Sequence, residues 1–469
     1  MVFSSAIFLF CFLPAVFLLY RLPFGRRWQN ILLAAASLVF YAFGNLNYVP
    51  LFLASVLLNY VTGRLLAGRF RRSRAVITLN ILLNLGILCV YKYTDFLIGN
   101  INLLVPGSPL KPLGLIMPIG ISFFTFQGLS YTIDVYRNPD EYSPSFLKLL
   151  LYISFFPQLI AGPIVRWGDI SRQIDERVCS PGKTSAGIRR FIVGLAKKLL
   201  LADTAAVVAD AVFSAGLPDA RLAWLGGICY TLDIYFDFSG YSDMAIGMGR
   251  MFGFSIKENF LFPYTADSIR DFWRKWHISL SAWFREYLYF PLGGSRCGRA
   301  RAALNRLIVF FCTGLWHGAN WTFVLWGLGH GLLSSLEAGG IIPVDRLRKS
   351  VPGRILCRVY TLLSVMLLFT LFRADTVSQG FGMIAAMFRF QVLPEGTILL
   401  ARLSSPAALA VLCSALLLAL DPLGRRIHAF LTDLRERELL PDLCCLLLLV
   451  LSFLSLAQNG FHPFIYFQF

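Results

Sequence analysis

The sequence LWHGANW at residues 315–321 lies between two runs that are hydrophobic enough to enter a bilayer. It places His317 at a depth where a polar side chain loses its water partners, which is costly unless the residue has a role. The surrounding stretch 273–331 also holds His277 and His330, so it carries three of the five histidines of the chain. We therefore predict that the functional site lies in this stretch.

The composition of the chain is typical of a polytopic membrane protein. Of its 469 residues, 57% are hydrophobic and only 15% are charged, and the mean hydropathy is +0.65. A soluble chain has roughly a quarter of its residues charged. The first apolar run, residues 2–20, has no basic region before it and no small-residue cleavage site, and a second apolar run follows closely. We therefore predict a retained first span rather than a signal peptide.

The formal net charge of +17 has a topological cause. The basic residues cluster in short loops between apolar runs, as at residues 21–27 and 64–74. This is the positive-inside pattern, and it predicts that these loops are cytoplasmic and that the N-terminus lies outside. Because topology accounts for the charge, we expect no nucleic-acid partner; the expected surroundings are membrane lipid.

We predict an all-α membrane protein of about 11 spanning or half-spanning helices, with an uncertainty of about two. Residues 146–165 contain prolines and should form a broken helix, and residues 187–212 contain charges and should tilt or face a polar cavity. Residues 255–300 mix aromatic and charged side chains and should be interfacial or re-entrant. Residues 380–392 could lie at the interface. The other predicted spans are 2–20, 30–43, 48–61, 75–90, 113–135, 222–238, 307–336, 360–372, 397–420 and 443–457.

The sequence RDFWRKWHISL at residues 270–280 predicts a helix with one aromatic face. In a continuous helix, Trp273, Trp276, His277 and Leu280 fall at positions i, i+3, i+4 and i+7, with arginines on a neighbouring stripe. One interpretation is a site with a titratable imidazole. The other is an interfacial anchor helix with tryptophans at headgroup depth and arginines on phosphates. The residue types alone do not decide between them.

His317 is the sharper candidate for a catalytic group. Gly314 and Gly318 thin the helix around it, so that another backbone or a substrate can approach. A desolvated, neutral imidazole is a competent general base toward a hydroxyl or a thiol. The alternative is a hydrogen-bonded histidine that packs two helices, but the intramembrane position favours function.

His330 lies thirteen residues after His317. If residues 307–336 form one continuous helix, the two histidines are roughly 20 Å apart. They could not then share a small site, and we predict that His330 faces the opposite leaflet. No HExxH motif or histidine cluster indicates a metal site.

Asp237 and Asp243, in the sequence YFDFSGYSD, follow the predicted span 222–238. They could pair with Arg270 or Arg274 and close one wall of a cavity. The alternative is a helix cap followed by a loop, where aspartate is common. We prefer the cap for Asp243 and leave Asp237 open.

Six motifs together resemble the bacterial membrane-bound O-acyltransferase family, in particular its alginate O-acetylation branch. The opening sequence MVFSS also resembles that branch more than the D-alanyl-transferring branch. The resemblance extends over roughly residues 1–465, and the combination is specific although no single motif is. The motifs are FFTFQGLSY (123–131), FFPQLIAGPI (155–164), YFDFSGYSD (235–243), DFWRKWHISL (271–280), FPLGG (290–294) and WHG (316–318).

The resemblance implies one membrane domain over residues 1–469, shaped as a bowl of tilted helices around a thin core. Peripheral helices would occupy residues 1–110, the catalytic core about 113–337 and C-terminal helices 354–469. A cytoplasmic and an outer funnel would meet near the catalytic histidine, in the inner membrane of a bacterium. By motif, His317 takes that position and His277 that of the second histidine. One departure is Gly329, where a bulkier residue is expected.

The function that the resemblance implies is transfer of an acyl group, expected to be acetyl, from a cytoplasmic thioester such as acetyl-CoA. No bound cofactor and no metal is expected. The acceptor would be an extracytoplasmic polysaccharide hydroxyl, or a hydroxyl on a partner such as a secreted SGNH-type acetyltransferase. His317 would be the general base, and His277 would orient the donor or assist proton transfer.

Six further residues are candidates for binding substrate. Two cations, Arg274 and Lys275, could hold the phosphates of CoA. The side chain of Asn320 could donate a hydrogen bond to the thioester carbonyl as charge develops on its oxygen. The remaining candidates for the substrate site are Trp316, Trp273 and Asp237.

Three alternatives stay open at this stage. A D-alanyl transferase of the same family would need an acyl-carrier protein as its donor. A transporter would also contain broken helices and intramembrane charges, but no inverted repeat is visible in the sequence. A non-catalytic scaffold for a secreted acetyltransferase should tolerate the substitution His317→Ala.

Overall fold

The computed structural model describes residues 1–105, 107, 110–216, 218–389, 392–420, 422–433, 439–459 and 463–465, and every regular element among them is helical. The described residues form two compact units, Met1–Ile188 with Met244–Lys257, and Arg189–Asp243 with Glu258–Phe469. The predicted all-α membrane class is confirmed. The bowl shape, the single domain and the number of spans stay predictions.

Four helices among the described residues are long and apolar enough to cross a membrane. A fifth span would be the pair Pro394–Leu403 and Pro406–Leu420, which is bent by 80°. Proline at the start of each member explains why both begin anew there. The four helices are Gly25–Ala67, Arg74–Leu104, Val351–Arg373 and Leu439–Gln458.

Seven of the α-helices that the structure describes lie entirely within the first unit. Residues 30–43 and 48–61, predicted as two spans, belong to one helical run of 43 residues through a single 3-10 turn. The predicted break in 146–165 is confirmed, because the helix ends at Ser154 and turns follow. The helices are α1 (Leu13–Tyr20), α2 (Gly25–Asn45), α3 (Val49–Ala67), α4 (Arg74–Leu104), α5 (Ile121–Arg137), α6 (Phe146–Ser154) and α7 (Trp167–Glu176).

Buried amides join three of these helices. The side chain of Asn59 in α3 donates to Asn84 Oδ1 in α4 at 3.1 Å, and the Thr132 hydroxyl of α5 donates to Asn80 Oδ1 at 3.0 Å. Gly128 of α5 leaves room for Asn59, since a Cβ there would lie 2.4 Å from the amide nitrogen. Polar side chains that bond across helices are a common means of association in membranes.

Several charged side chains of the segment from α8 to α10 are buried. The segment 187–212 is helical throughout, with a π-helical stretch at Lys197–Ala202 between α8 and α9. The next helix is longer than the predicted span 222–238 and continues to Met251. Asp243 therefore lies within a helix, and the predicted cap and loop are wrong. The helices are α8 (Pro181–Ala196), α9 (Asp203–Ser214) and α10 (Ala220–Met251).

Residues 255–300 form only short elements, namely α11 (Ile269–Lys275), α12 (Ile278–Phe284) and a π-helical turn at Arg285–Tyr289. A seven-residue helix is roughly 10 Å long, which is too short to cross a bilayer. The prediction that this region does not span in the ordinary way is confirmed.

The predicted span 307–336 is wrong as one continuous helix. Helix α13 (Arg299–His317) ends at the histidine, and α14 (Trp321–Ala338) begins after a short turn, so that the two form a tight hairpin. Asn320 starts α14 by accepting a hydrogen bond from the backbone N–H of Thr322 at 3.1 Å. The remaining helices are α15 (Val344–Leu347), α16 (Val351–Arg373), α17 (Val377–Met387), α18 (Pro394–Leu403), α19 (Pro406–Leu420), α20 (Leu423–Thr432) and α21 (Leu439–Asn459). Helix α17 falls in the predicted interfacial segment 380–392, whose residues 390 and 391 lie outside the described residues.

Glycines close the hairpin by letting the two backbones touch. A Cβ on Gly314 would lie 2.4 Å from the carbonyl oxygen of Phe323, and a Cβ on Gly327 would lie 2.3 Å from that of Phe310. No side chain can rotate to relieve these overlaps, because both opposing atoms belong to the backbone. The prediction that Gly314 lets another backbone approach the helix is therefore confirmed.

Adding one methyl group to this contact should destabilise the protein. We expect Gly327→Ala to lower the free energy of unfolding by about 1–3 kcal/mol, because α13 and α14 must separate to admit it. Gly329→Ala is the matched control on the same helix, since its added Cβ meets only the flexible side chain of Leu368. Unfolding curves of the two variants in lipid measure the difference. Equal stability of the two would contradict the tight backbone contact.

Candidate active site

His317 is the last residue of α13 and is 3% exposed. Its imidazole is surrounded by rings, with centroids at 5.0 Å to Trp316, 5.1 Å to Trp326 and 5.2 Å to Phe372. Such an enclosure excludes bulk water, and it strengthens any hydrogen bond or charge interaction that forms inside it. A hydroxyl that reaches this imidazole would meet a base with little competition from solvent.

His277 lies between α11 and α12, and the predicted continuous helix through it is wrong. Its backbone has φ 43° and ψ 53°, the left-handed region that costs energy for a side chain with a Cβ. Trp273 and His277 therefore do not share one helical face. The ring of His277 is fully buried and packs edge-on against Phe238, with the centroids 4.6 Å apart.

Hydrogen bonds from the segment around Asn259 stabilise this break between α11 and α12. The backbone carbonyl of Asn259 accepts from the N–H of Ile278 at 3.0 Å, and the N–H of Leu261 donates to the carbonyl of Lys275 at 2.9 Å. The Asn259 side-chain oxygen accepts from both the N–H and the hydroxyl of Ser279, at 3.1 and 2.8 Å. These bonds replace those that a continuous helix would make.

The same oxygen of Asn259 lies 3.3 Å from Nδ1 of His277. Because that oxygen can only accept, Nδ1 is the nitrogen that carries the hydrogen, and Nε2 is left as the basic nitrogen. Burial lowers the pKa of His277 to about 3, so the ring is neutral at physiological pH.

The structure brings the two predicted histidines together. The ring centroids of His277 and His317 are 6.5 Å apart, and Trp316 contacts both, at 5.9 and 5.0 Å. The two imidazoles come from different helical segments that are forty residues apart in the chain. They form a buried pair at the carboxyl end of α13.

His330 is much closer to this pair than predicted. Trp326 contacts both His317 and His330, each at 5.1 Å, so a single ring separates them. The prediction of an opposite leaflet assumed a continuous helix, whereas the turn after His317 folds α14 back along α13. His330 is fully buried and stacks parallel to Phe272 at 6.0 Å.

An arginine-lined cleft of about 270 Å³ lies on the far side of His330. Its inner wall includes Trp273 and Phe310, whose rings contact His330 at 5.2 and 6.3 Å. Among its described lining residues none is acidic, and Trp273 Nε1 and Ser281 Oγ have no hydrogen-bond partner. The cleft is therefore rich in hydrogen-bond donors. Its four arginines are Arg270, Arg274, Arg285 and Arg306.

Of the two cations predicted to bind phosphates, only Arg274 lines this cleft. Lys275 instead pairs with Asp271 at 2.7 Å and donates to the Thr265 hydroxyl at 3.2 Å. A change of direction at the end of α11 separates the two neighbours. Asn320 caps α14, and its amide donates to the carbonyl of Asp375 at 2.9 Å.

Asp237 and Asp243 do not pair with the arginines proposed from the sequence. Asp237 accepts from Lys198 at 2.7 Å, and Asp243 pairs with both Arg190 and Lys197 at 2.6 Å. The predicted pairing is wrong because α8 and the π-helical stretch Lys197–Ala202 lie along α10, so their cations are the ones that reach the two aspartates.

Arg270 has acidic partners of its own. Its guanidinium binds Glu337 at 3.3 Å and Asp345 at 3.0 Å. The carboxylate of Glu337 also accepts from the backbone N–H of Ile269 at 2.7 Å, which anchors the first turn of α11.

Several residues that build the site were missed from the sequence. Asn259 and Trp326 position His277 and His317, and Phe372 closes the enclosure. Lys198 is one of the charged residues that interrupt the apolar segment 187–212, and such an interruption is a usable signal for a buried ion pair. For Asn259, no local pattern could have revealed a partner eighteen residues away.

Comparison with known proteins identifies the family. A model of the MBOAT, membrane-bound O-acyltransferase family matches residues 119–387. The probable alginate O-acetylase AlgI of Azotobacter vinelandii is 36% identical over 504 residues, covering 100% of both chains. A peptidoglycan O-acetyltransferase of Helicobacter pylori is 35% identical over 82% of this chain and 80% of its own. A teichoic acid D-alanyltransferase of Bacillus subtilis is 29% identical over 49% of this chain and 60% of its own.

The matched region includes both histidines of the buried pair, the hairpin that carries His317 and the arginine-lined cleft. The similarity to the acetylase of Azotobacter vinelandii extends over the whole chain, including the helices outside the matched region. The chain therefore belongs to the membrane-bound O-acyltransferase family, and it is a multi-pass membrane acyltransferase.

Proposed function

We propose that this protein transfers an acetyl group from acetyl-CoA on the cytoplasmic side to a polysaccharide hydroxyl, or to a hydroxyl of an SGNH-type partner, outside the inner membrane. The observation that carries the proposal is the buried pair His277 and His317, with ring centroids 6.5 Å apart inside an aromatic enclosure. The relatives that are similar over most of the chain are named as O-acetylases, which supports acetyl as the acyl group and a polysaccharide as the acceptor.

His317 is the proposed general base. It takes the proton of the acceptor hydroxyl while the hydroxyl oxygen bonds to the acyl carbon, and the carbon–sulfur bond then breaks. The proton returns from His317 to the departing thiolate, which leaves as the free thiol. The carboxyl end of a helix stabilises positive charge, so the position of His317 at the end of α13 favours the imidazolium that forms in between.

His277 is the proposed second member of the pair. Asn259 fixes its orientation and its tautomer, so Nε2 is the nitrogen that would hold the donor or accept a proton. Its burial and the edge-on contact with Phe238 keep the ring from turning. Trp316, which contacts both histidines, would limit the volume in which the thioester can lie.

The arginine-lined cleft is the proposed donor site. The phosphates and amide carbonyls of CoA are hydrogen-bond acceptors, and this cleft offers arginines, an indole N–H and a hydroxyl. Basic residues at the start of α13, namely Arg299, Arg301 and Arg306, support a cytoplasmic position for this end, because the positive-inside rule favours basic residues on that side. The same rule supports an N-terminus on the outside.

Removing two arginines of the cleft should weaken donor binding selectively. A hydrogen bond to a charged group contributes about 1.5–3 kcal/mol, and 1.4 kcal/mol is a factor of ten, so Arg285→Ala with Arg306→Ala should raise the KM for acetyl-CoA at least tenfold. The rate at saturating acetyl-CoA should change little. Arg301→Ala on the same helix is the matched control, because Arg301 is exposed and does not line the cleft. An equal KM in both variants would place the donor elsewhere.

A choice between donors tests the proposed function itself. The purified protein in lipid is given labelled acetyl-CoA in one reaction and a D-alanyl carrier protein in another, and loss of label from each donor is followed. We expect only acetyl-CoA to be consumed. Consumption of the carrier protein alone would assign the chain to D-alanyl transfer, and consumption of neither would favour a scaffold.

A further inference from the structure

A second cleft of about 270 Å³ lies on the other side of His317. Phe372 lines this cleft and contacts the imidazole of His317 at 5.2 Å. Phe323 also lines it and packs against Phe372 at 4.7 Å. Two rings therefore separate the cleft from the buried histidine pair. The cleft lies near the turn between α13 and α14, at the opposite end of α13 from the basic residues.

The charged side chains that line this cleft are mostly paired with one another. Lys198 binds Asp203 at 2.8 Å, and Arg373 binds Asp210 at 2.6 Å. Asp375, at the exposed rim, lies 3.9 Å from Arg373. The described lining thus holds four carboxyl groups and two cations, the fourth carboxyl being that of Asp233.

Asp233 differs from these three carboxyl groups. It is 4% exposed and lines the cleft from the middle of α10. Across the part of the chain that the structure describes, its carboxyl makes no hydrogen bond and no ion pair. Its carboxyl group faces the cleft, so water or a ligand in the cleft must supply its hydrogen bonds. Such a group at a cleft wall is explained if a ligand supplies the partner.

Tyr230 provides a second, independent sign of a ligand. It is 1% exposed, it lines the same cleft, and its hydroxyl has no hydrogen-bond partner within the described residues. Tyr230 and Asp233 are three residues apart in α10, so their side chains lie next to each other on one helical face. Together they offer a hydrogen-bond acceptor and a donor at one position.

These two groups suit an uncharged hydroxyl. The carboxyl group of Asp233 can form a hydrogen bond with the O–H group of an alcohol, and the tyrosine O–H can donate to the alcohol oxygen. The excess of carboxyl groups over cations in the lining disfavours a ligand that carries its own carboxylate, because like charges repel in a poorly solvated site. A sugar ring with neighbouring hydroxyls and no acidic group meets these conditions.

We propose that Asp233 and Tyr230 form an acceptor-binding subsite that holds a hydroxyl of an uncharged sugar unit while a neighbouring hydroxyl reaches His317. This inference rests on the proposed function, since it assigns the acceptor of the same reaction. Asp233 binds the substrate in this scheme and takes no proton from the reacting oxygen.

The experiment measures donor use and acceptor use separately. Protein in lipid is supplied with labelled acetyl-CoA, and its slow hydrolysis is recorded without acceptor. Transfer is then recorded over a range of methyl glucoside concentrations, and again with methyl glucuronide, which has a carboxylate. The variants are Asp233→Asn and Tyr230→Phe, which preserve side-chain size. Asp442→Asn, a partly exposed aspartate of α21 outside the cleft, is the control.

We expect Asp233→Asn and Tyr230→Phe each to raise the KM for methyl glucoside about tenfold or more, since each removes one hydrogen bond from the acceptor. Hydrolysis of acetyl-CoA and its KM should be unchanged, and the wild type should prefer the glucoside to the glucuronide. An unchanged acceptor KM in both variants, equal use of the glucuronide, or hydrolysis without any transfer to the glucoside would overturn the subsite.

Failure of the proposed function gives a different result, because the wild type would then not consume acetyl-CoA at all. If a variant does not fold, the preference of the wild type for the neutral sugar over the acidic one still tests the subsite.

Discussion

Replacing His317 with alanine should lower acetyl transfer by about 10²- to 10⁴-fold, the range that a positioned general base contributes. The enclosure around His317 makes the loss hard to compensate. Its ring is 3% exposed and is contacted by Trp316, Trp326 and Phe372, so little bulk water can take over as the base. The measurement is the rate of transfer at saturating acetyl-CoA by the purified protein in lipid.

His428→Ala is the matched control for this substitution. His428 lies in α20, and its ring contacts Phe262. We expect this variant to keep the wild-type rate. A folded His317→Ala variant that retains most of the activity would show that the base lies elsewhere, and it would revive the interpretation of a scaffold.

The second large effect concerns the buried cation Lys198. Its side chain is 3% exposed, and its ammonium group binds both Asp203 and Asp237, at 2.8 and 2.7 Å. Removing one partner of a buried ion pair costs about 3–5 kcal/mol, because the remaining charge stays buried without compensation. We therefore expect Lys198→Met to lower the free energy of unfolding by about that amount, as measured from unfolding curves in lipid.

A compensated variant separates charge from packing. Combining Lys198→Met with Asp203→Asn and Asp237→Asn removes all three charges together, and replacing a whole buried ionic group is often close to neutral. We expect this triple variant to recover much of the lost stability. If it is less stable than Lys198→Met alone, the loss comes from the packing of the lysine stem rather than from the unpaired carboxylates.

The sequence was sufficient for the class of fold and for the importance of the 273–331 stretch. Composition and apolar runs predicted helices in a membrane, and the density of charged and aromatic residues predicted that 255–300 does not span. These features are local, so they can be read without knowing which segments meet. The sequence also indicated His277 and His317 as candidate site residues, and the fold brings these two side chains together.

The predictions that failed depended on contacts between distant segments. The helical face through Trp273 and His277 is interrupted because the Asn259 segment supplies alternative hydrogen bonds at the break. The predicted distance between His317 and His330 was wrong, because periodicity alone gives no sign of the turn that reverses the chain at Gly318.

The ion-pair partners predicted for Asp237 were wrong for a similar reason. Its cation, Lys198, comes from the π-helical stretch that follows α8, and nothing in the sequence around the aspartate indicates which basic residue approaches. Opposite charges on separate helices can be paired in many ways, and packing decides among them. Burial then makes the selected pair of Lys198 and Asp237 important for stability.

Transport of label across a sealed membrane tests the central proposal most directly. Right-side-out vesicles that contain the protein are loaded with labelled acetyl-CoA, and envelope polysaccharide of the host is supplied only outside. We predict labelled polysaccharide outside with the wild type and at least about a hundredfold less with His317→Ala, while the vesicles stay sealed to CoA. Equal labelling by both proteins, or consumption of the donor with label transferred only inside, would contradict transfer through the buried histidine pair.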